Sequence, residues 1–185
     1  MIPVIGIHGA IAAGKDTLAD MLREYDPKRF QRYSMAAPLK AIGAVMGFTA
    51  EQMADHTLKE TVDPFWNITP RRFLQLVGTE MFREEFRQDV WIKMAQRQLI
   101  EANRNGMILV ISDIRFADEA AFVQNAGGRL YHILRPGSGQ VSMEVAAHRS
   151  EGGIPEALRG VPVMNDGTLD QLRAKAYRLA GEALR

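Results

Sequence analysis

The sequence predicts an α/β fold in which a parallel sheet is covered by helices on both faces. Short apolar runs rich in β-branched residues alternate with segments of helical periodicity along the 185 residues. A stretch with two glycines and a lysine, GAIAAGKDT at residues 9–17, directly follows the first apolar run. Because a turn of this kind joins a strand to a helix, it marks the first β–α unit of the sheet.

The N-terminal elements follow from local patterns. Residues 3–8 form a short apolar run, which predicts a buried parallel strand. A helix is predicted over about residues 15–24, with Leu18, Met21 and Leu22 on its inner face. The segment RFQRYSM alternates as a second strand, and PLKAIGAVMG predicts another helix.

The middle of the chain, residues 49–105, has the pattern of a wholly helical region. The segment TLKE at 57–60 has the spacing of a capping box. A Thr-Pro pair at 69–70 supplies a cap and a first-turn proline for the next helix. Asp89 is suited to cap a longer helix, which Gly106 ends.

The C-terminal half returns to alternating strands and helices. The strongest strand pattern in the chain is MILVIS at 107–112, followed by a helix over about residues 116–126. RLYHILRP and VPVMN predict two further strands, and a capping box at 168–171 opens the last helix. Between those strands, residues 136–160 are glycine-rich and polar, with MEVAAHRSE as a short helix inside them.

Composition supports one domain with two additions. We expect a core of residues 1–48 and 106–185, a helical insertion at 49–105 and a lid at 136–160. The formal net charge of +1 argues against a nucleic-acid polymer as partner. The absence of cysteine excludes thiolate chemistry and fits a reducing compartment. No segment approaches transmembrane length, so we expect no membrane partner and a cytoplasmic protein.

The loop GAIAAGKDT is predicted to bind phosphate. Its backbone N–H groups and the following helix N-terminus attract an anion, and Lys15 can bridge terminal phosphates. Asp16 stands where the usual pattern places a Mg²⁺-binding hydroxyl. Since an acid beside polyphosphate is repelled unless a cation lies between them, we expect Asp16 to bind metal, directly or through water. The alternative is an ordinary acid at a helix N-terminus. Thr17 is rotated away and suits the α-phosphate better.

A second centre follows the strand MILVIS. Asp113 comes directly after it, where nucleotide sites hold the Mg²⁺ shell, and Arg115 can clamp a phosphate. The alternative is that Asp113 caps the next helix and Arg115 pairs with Asp118 or Glu119. No guanine-reading Asn-Lys-x-Asp motif occurs, and Arg149 in the predicted lid is available to cover phosphates. These features favour phosphoryl transfer to a small substrate.

Several motifs along nearly the whole chain occur together in one group of enzymes. They are GKDT at 14–17, APLK at 37–40, KE at 59–60, RRFLQLVGTEMFR at 71–83, DVW at 89–91, SDIRFADEA at 112–120, HRSE at 148–151 and NDGTLDQL at 165–172. On these motifs the chain resembles the phage-type deoxynucleoside monophosphate kinases, part of the nucleoside monophosphate kinase group. The resemblance implies a three-layer P-loop fold and ATP-dependent, Mg²⁺-dependent phosphorylation of a deoxynucleoside monophosphate. It also points to a homodimer.

The resemblance implies residue roles as well. The residues assigned to ATP are Gly9, Ala12, Ala13, Gly14, Lys15, Asp16, Thr17, Asn165, Gly167 and Thr168. Those assigned to catalysis are Lys15, Asp113, Arg115 and Arg149, with Asp16 and Asp113 at the metal. Those assigned to the acceptor are Lys40, Arg72, Gln75, Thr79, Glu80, Arg83, Trp91 and Arg115.

Each acceptor assignment has a plainer alternative. Arg72, Gln75 and Thr79 share one face of an ideal α-helix, which suits a binding surface, but a solvated charge or ordinary packing gives the same spacing. Trp91, together with the neighbouring pair FW at 65–66, is a candidate to stack on the base, with core packing as the alternative. Two histidines receive no chemical role: His132 is predicted in the core and His148 in the lid.

Two rival functions remain at this point. A kinase for another small phosphate acceptor, of the dephospho-coenzyme A or phosphomevalonate type, would share the loop and the general plan. A non-catalytic ATP-binding interaction module would share the loop alone.

Overall fold

A computed structural model describes residues 2–138 and 154–185. Its sheet has five strands in the order β2-β3-β1-β4-β5, and every neighbouring pair is parallel. The strands are β1 (Val4–His8), β2 (Phe30–Tyr33), β3 (Ile108–Ile111), β4 (Arg129–Leu134) and β5 (Val161–Met164). The predicted α/β fold with a parallel sheet is confirmed.

The helices of the described residues are α1 (Lys15–Tyr25), α2 (Ala37–Val45), α3 (His56–Glu60), α4 (Pro70–Gln75), α5 (Val90–Arg104), α6 (Ala117–Asn125) and α7 (Leu169–Ala183). A π-helical segment, Leu76–Phe86, continues α4, and a short 3₁₀ turn, Glu156–Leu158, precedes β5. None of the described helices is long and apolar enough to cross a membrane. The predicted helix MEVAAHRSE, with His148 and Arg149, lies outside the described residues.

The chain divides into two compact units, one formed by Met1–Ser34 with Met94–Arg185, the other by Met35–Lys93. The boundaries fall at the ends of β2 and inside α5, so α2 belongs to the second unit, not to the core as the sequence suggested. That the second unit binds an acceptor and that residues 136–160 form a lid stay predictions.

The first unit holds the sheet between helices. On one face, Ile5 and Ile7 of β1 pack with Leu18 and Leu22 of α1 and with the apolar side of α7. Because strand side chains alternate, Gly6 faces the other side, where a Cβ would lie 3.0 Å from a Val123 methyl of α6. The predicted covering of both faces is therefore confirmed.

The second unit has its own apolar core. Its buried members come from α2, α4, the π-helical segment and the start of α5, with two from the turn between α2 and α3: Leu39, Phe48, Met53, Phe73, Val77 and Trp91. The middle region is not wholly helical, because an antiparallel bridge joins Asp63 to Ile68 between α3 and α4. The run RRFLQLVGTEMF is α-helical only as far as Gln75.

One predicted cap is wrong and two are confirmed. Asp55, not Thr57, caps α3 by accepting a hydrogen bond from Leu58 N at 2.8 Å, because the helix begins two residues earlier than the TLKE spacing suggested. Thr69 accepts from Arg72 N at the start of α4, as predicted. The capping box at 168–171 opens α7.

Candidate active site

The phosphate loop lies between β1 and α1, the predicted context. It contains residues in the left-handed region: Gly9 has φ 147° and Gly14, directly before the helix, has φ 99°. A Cβ on Gly9 would lie 2.4 Å from the carbonyl oxygen of Ile133. The loop therefore requires glycine there for both conformation and space, and its backbone closely approaches β4.

Polar contacts hold the loop in this conformation. Lys15 Nζ donates to the carbonyl oxygens of Gly9 at 3.0 Å and Ala10 at 2.8 Å. Asn165, at the end of β5, donates from Nδ2 to Ala13 O at 2.9 Å. Asn165 was predicted to border ATP, and the structure places its amide against the loop backbone.

Asp16 is tied to two other segments of the first unit. Arg32 of β2 forms an ion pair with Asp16 and a second one with Asp20 at 2.6 Å. Ser112 Oγ, directly after β3, donates to Asp16 Oδ1 at 3.0 Å. These contacts orient Asp16 Oδ1 toward the end of β3. An acid that only stabilises the N-terminus of its own helix would not require contacts with β2 and β3.

Asp113 lies at the same edge of the sheet, because β1 and β3 are parallel neighbours. Ser34 Oγ donates to Asp113 Oδ2 at 2.6 Å. Burial, with the nearby Asp113 charge as the smaller cause, raises the pKa of Tyr33 to about 12. The N-terminus of α6 is instead capped by Glu119, which accepts from Arg115 N at 2.8 Å, so the capping alternative for Asp113 does not hold.

Two carboxylates, Asp16 and Asp113, lie at the same edge of the sheet. Mg²⁺ is commonly held by one or two carboxylates together with substrate phosphates. Within residues 2–138 and 154–185, no group of three or more His, Cys, Asp or Glu side chains is arranged to hold a metal alone. Asp16 and Asp113, each oriented by a serine hydroxyl, are thus suited to a metal that bound phosphates complete.

A cavity of about 320 Å³ lies beside the loop in the first unit. Its lining includes Gly9 and Ala10 of the loop and three cations, Lys15, Arg115 and Arg159. No carboxylate is among the described residues that line it. A cavity with this charge is suited to an anion such as phosphate.

Two histidines form part of the same wall. His8 and His132 are opposite each other on β1 and β4, and their rings stack with centroids 4.4 Å apart. His8 Nε2 lies 2.7 Å from the carbonyl oxygen of Arg159. Burial lowers the pKa of both histidines, so they are neutral at neutral pH. The prediction that His132 belongs to the core is wrong, because its ring lines the cavity.

All of the predicted acceptor residues except Arg115 lie in the second unit. Arg72 and Glu80 form a two-pronged ion pair, with the second contact, Nη2 to Oε2, at 3.2 Å. Thr79 and Arg83 are buried. The π-helical segment closes its hydrogen bonds over five residues, so Thr79 loses the α-helical alignment with Arg72 and Gln75 from which a shared face was predicted.

The three aromatic candidates for stacking on the acceptor base differ in their exposure to solvent. Trp91 is buried in the core of the second unit, where Nε1 donates to Gly78 O at 2.8 Å, which is the packing alternative. Phe65 is 82% exposed, so core packing is wrong for this residue. Trp66 is partly exposed, with its Nε1 donating to Met46 O at 2.9 Å.

A family model described as deoxynucleotide monophosphate kinase matches residues 44–176. The chain belongs to the deoxynucleotide monophosphate kinase family. The matched region contains most of the second unit together with Asp113 and Arg115, whereas the phosphate loop precedes it. This membership confirms the predicted enzyme class, a nucleotide kinase that uses ATP as phosphoryl donor.

Relatives of this kinase occur in viruses. It is 33% identical over 147 residues to a putative deoxynucleotide monophosphate kinase of Acanthamoeba polyphaga mimivirus, covering 72% of this chain and 75% of the viral protein. It is 21% identical over 220 residues to the deoxynucleoside-5'-monophosphate kinase of Escherichia phage T5, covering 84% and 86% of the two chains. The crystal structure of TT1252 from Thermus thermophilus shares the fold, with a TM-score of 0.53, 22% identity and 98% of each chain covered.

Sequence reasoning missed Arg159 and His8. Arg159 lies in a segment, EALRGVP, that has no periodicity or motif, and its contact with His8 joins residues 151 positions apart. His8 offered one weak signal, a polar residue at the end of an apolar strand next to the loop.

Proposed function

We propose that this kinase transfers the terminal phosphoryl group of ATP to a deoxynucleoside monophosphate, giving the diphosphate and ADP. The observation that carries the proposal is the cationic cavity beside the phosphate loop, with Lys15, Arg115 and Arg159 on its lining. Phosphoryl transfer requires little covalent work by a protein. Positioning and charge neutralisation supply most of the rate.

The donor side uses the loop and the residues around it. The loop backbone and Lys15 bind the phosphates of ATP. Ala12, Ala13 and Thr17 are assigned to the same phosphates. Asn165 supports the loop through Ala13 O. Gly167 and Thr168 follow Asn165 in sequence and are assigned to the adenine side.

Asp16 and Asp113 are assigned to Mg²⁺, which when bound neutralises charge on the phosphates. The serine hydroxyls that donate to these carboxylates fix their orientation before any ligand arrives. If Asp16 held the metal, Asp20 would still pair with Arg32.

The acceptor side is assigned to the second unit together with Arg115. Glu80 holds the Arg72 guanidinium in place, so the arginine is oriented before the monophosphate binds. The other residues assigned to the acceptor are Lys40, Gln75, Thr79, Arg83 and Trp91. Phe65 and Trp66 supply exposed rings for the base. Arg149 is proposed to cover the phosphates, and we expect a cytoplasmic homodimer.

An ADP-release assay across acceptors tests the proposal. Each common deoxynucleoside and ribonucleoside monophosphate is added separately with ATP and Mg²⁺, beside dephospho-coenzyme A, phosphomevalonate and a reaction without acceptor. We expect stimulation by at least one deoxynucleoside monophosphate. Stimulation by one of the other two acceptors alone would replace the substrate class, and ADP release that no acceptor stimulates would favour a nucleotide-binding module.

A further inference from the structure

Arg159 is held against the phosphate cavity from two directions. Its carbonyl oxygen lies 2.7 Å from His8 Nε2. A carbonyl only accepts hydrogen bonds, so His8 carries the proton on Nε2 and donates it. On the side chain, Arg159 Nε donates to Ile154 O at 3.1 Å. Backbone and guanidinium are therefore both fixed beside the cavity.

The outer end of the guanidinium is available to a ligand. The terminal Nη groups of Arg159 make no hydrogen bond to any residue within 2–138 or 154–185, and the residue is exposed. Lys15 and Arg115 line the same cavity, and none of the described lining residues offers a balancing carboxylate. A cavity lined by cations is suited to an anion, and the planar guanidinium fork of Arg159 matches two phosphate oxygens.

His8 is itself held by a neighbour. Its ring stacks on His132 with an interplanar angle of 10°, and both residues lie opposite each other in the paired strands. The stack fixes the plane of the imidazole, and the plane fixes the direction of the Nε2 donor. The position of the Arg159 backbone is thus set by β1, the strand that leads into the phosphate loop.

We propose that Arg159 is a further phosphate-binding residue of the active site and that His8 is a positioning residue that holds it there. The ligand is a phosphate group of the bound nucleotide, so the inference rests on the proposed function for its substrate. It adds Arg159 to the residues predicted to neutralise charge on the phosphates.

Calorimetric titration with a non-hydrolysable ATP analogue and with adenosine tests Arg159. Arg159→Met keeps the apolar stem and removes the charge. We expect it to weaken the ATP analogue at least tenfold, leave adenosine binding unchanged and lower kcat/KM roughly 10²- to 10³-fold. Arg159→Lys should recover part of the loss. The matched control is Arg129→Met, since Arg129 pairs with Glu182 and lies outside the cavity lining.

His8 is tested by rescue and by coupling. His8→Ala should weaken the ATP analogue several-fold, and His8→Gln, whose amide can donate from a similar position, should restore binding. The loss in the double variant with Arg159→Met should not exceed that of Arg159→Met alone. Fully additive losses would remove the positioning role, and thermal melts of each variant separate it from unfolding.

The outcomes distinguish this inference from the proposed function. If Arg159→Met binds the ATP analogue and turns over like the wild type, the inference is overturned while the kinase assignment stands. If no monophosphate stimulates the wild type but Arg159→Met still loses the analogue, the phosphate role stands and the acceptor assignment falls. Equal weakening of the analogue and adenosine would assign Arg159 a structural role and overturn the proposal.

Discussion

Ser112 donates a hydrogen bond to Asp16 over 3.0 Å, which joins the first turn of α1 to the end of β3. The two residues are 96 positions apart in the chain. Because β1 and β3 are parallel neighbours, the segments that follow them emerge at the same edge of the sheet. The acid after the loop lysine and the acid after β3 therefore lie at the same edge of the sheet.

Asp16→Ala should raise the Mg²⁺ concentration required for half-maximal activity by roughly 10- to 100-fold. This is the loss of metal affinity typical when a residue that holds or orients a metal ligand is removed. The variant lacks the Asp16 carboxylate, which is assigned to the metal and is oriented by the hydrogen bond from Ser112. A Mg²⁺ titration of turnover at saturating ATP measures it. Asp20→Ala is the matched control, because Asp20 shares Arg32 whereas Ser112 donates to Asp16. An unchanged metal requirement in Asp16→Ala would remove this residue from the metal site.

Lys15→Ala should lower kcat by at least about 10²- to 10³-fold, the loss expected when one preorganised charge is removed from a transition state. The fold should persist, because the hydrogen bonds from Nζ to Gly9 O and Ala10 O are worth only about 1 kcal/mol each. ADP release and a thermal melt measure the two effects. Lys28→Ala, on an exposed turn, is the control variant. Near-normal turnover in Lys15→Ala would be incompatible with the assigned site.

The β–α units were predictable because their signals are local. β1, the loop and α1 follow from an apolar run, two glycines and an amphipathic segment that lie side by side in the sequence. The cap at Thr69 was predictable for the same reason, since the N–H that it accepts from belongs to Arg72, three residues away. The capping box predicted at TLKE was wrong because Asp55, two residues before Thr57, is an equally suitable N-cap. Its carboxylate accepts the hydrogen bond from Leu58 N, so the helix begins earlier.

The remainder depends on contacts that no local pattern encodes. The π-helical segment has apolar spacing compatible with an α-helix, and only its packing in the second unit selects the wider turn. Arg159 reaches the cavity through His8, which is distant in sequence. Trp91 was a candidate both for the base and for the core, and its burial, which no local pattern encodes, decides for the core.

Gly9→Ala should destabilise the protein by roughly 3 kcal/mol or more, through unfavourable backbone strain and overpacking. Its φ is 147°, and the added Cβ would lie 2.4 Å from a backbone oxygen, which cannot move aside as a flexible side chain can. Gly127→Ala is the matched control, because φ is 73° but no atom lies within 4 Å of the new Cβ. We expect that variant to lose only about 1–2 kcal/mol.

Urea unfolding of both variants measures the difference. ATP binding provides a second measurement, because Gly9→Ala displaces the loop backbone whereas Gly127 lies at the end of α6. If the two substitutions cost the same free energy of unfolding, the close approach between the loop and β4 is not a structural constraint.

Acidification should destabilise the folded protein through the stacked histidines. Burial is the main cause that lowers the pKa of His8 and of His132 below 6.5, and the nearby charge of Arg159 acts in the same direction on both. In the unfolded chain both pKa values return to about 6.5. As the pH falls through 6.5 toward the folded values, the unfolded chain binds more protons than the folded one. The free energy of unfolding therefore decreases across that window, and above it the two histidines contribute no pH dependence.

Urea unfolding at pH 7.5 and pH 5.5 measures this effect in the wild type and in the double variant His8→Gln, His132→Gln. Glutamine does not titrate, so the double variant should lose less stability between the two pH values than the wild type. Carboxylates contribute to both proteins equally and cancel in the comparison. An equal loss in both proteins would mean that the paired rings take up protons in the folded state as readily as in the unfolded chain, contrary to their burial between β1 and β4.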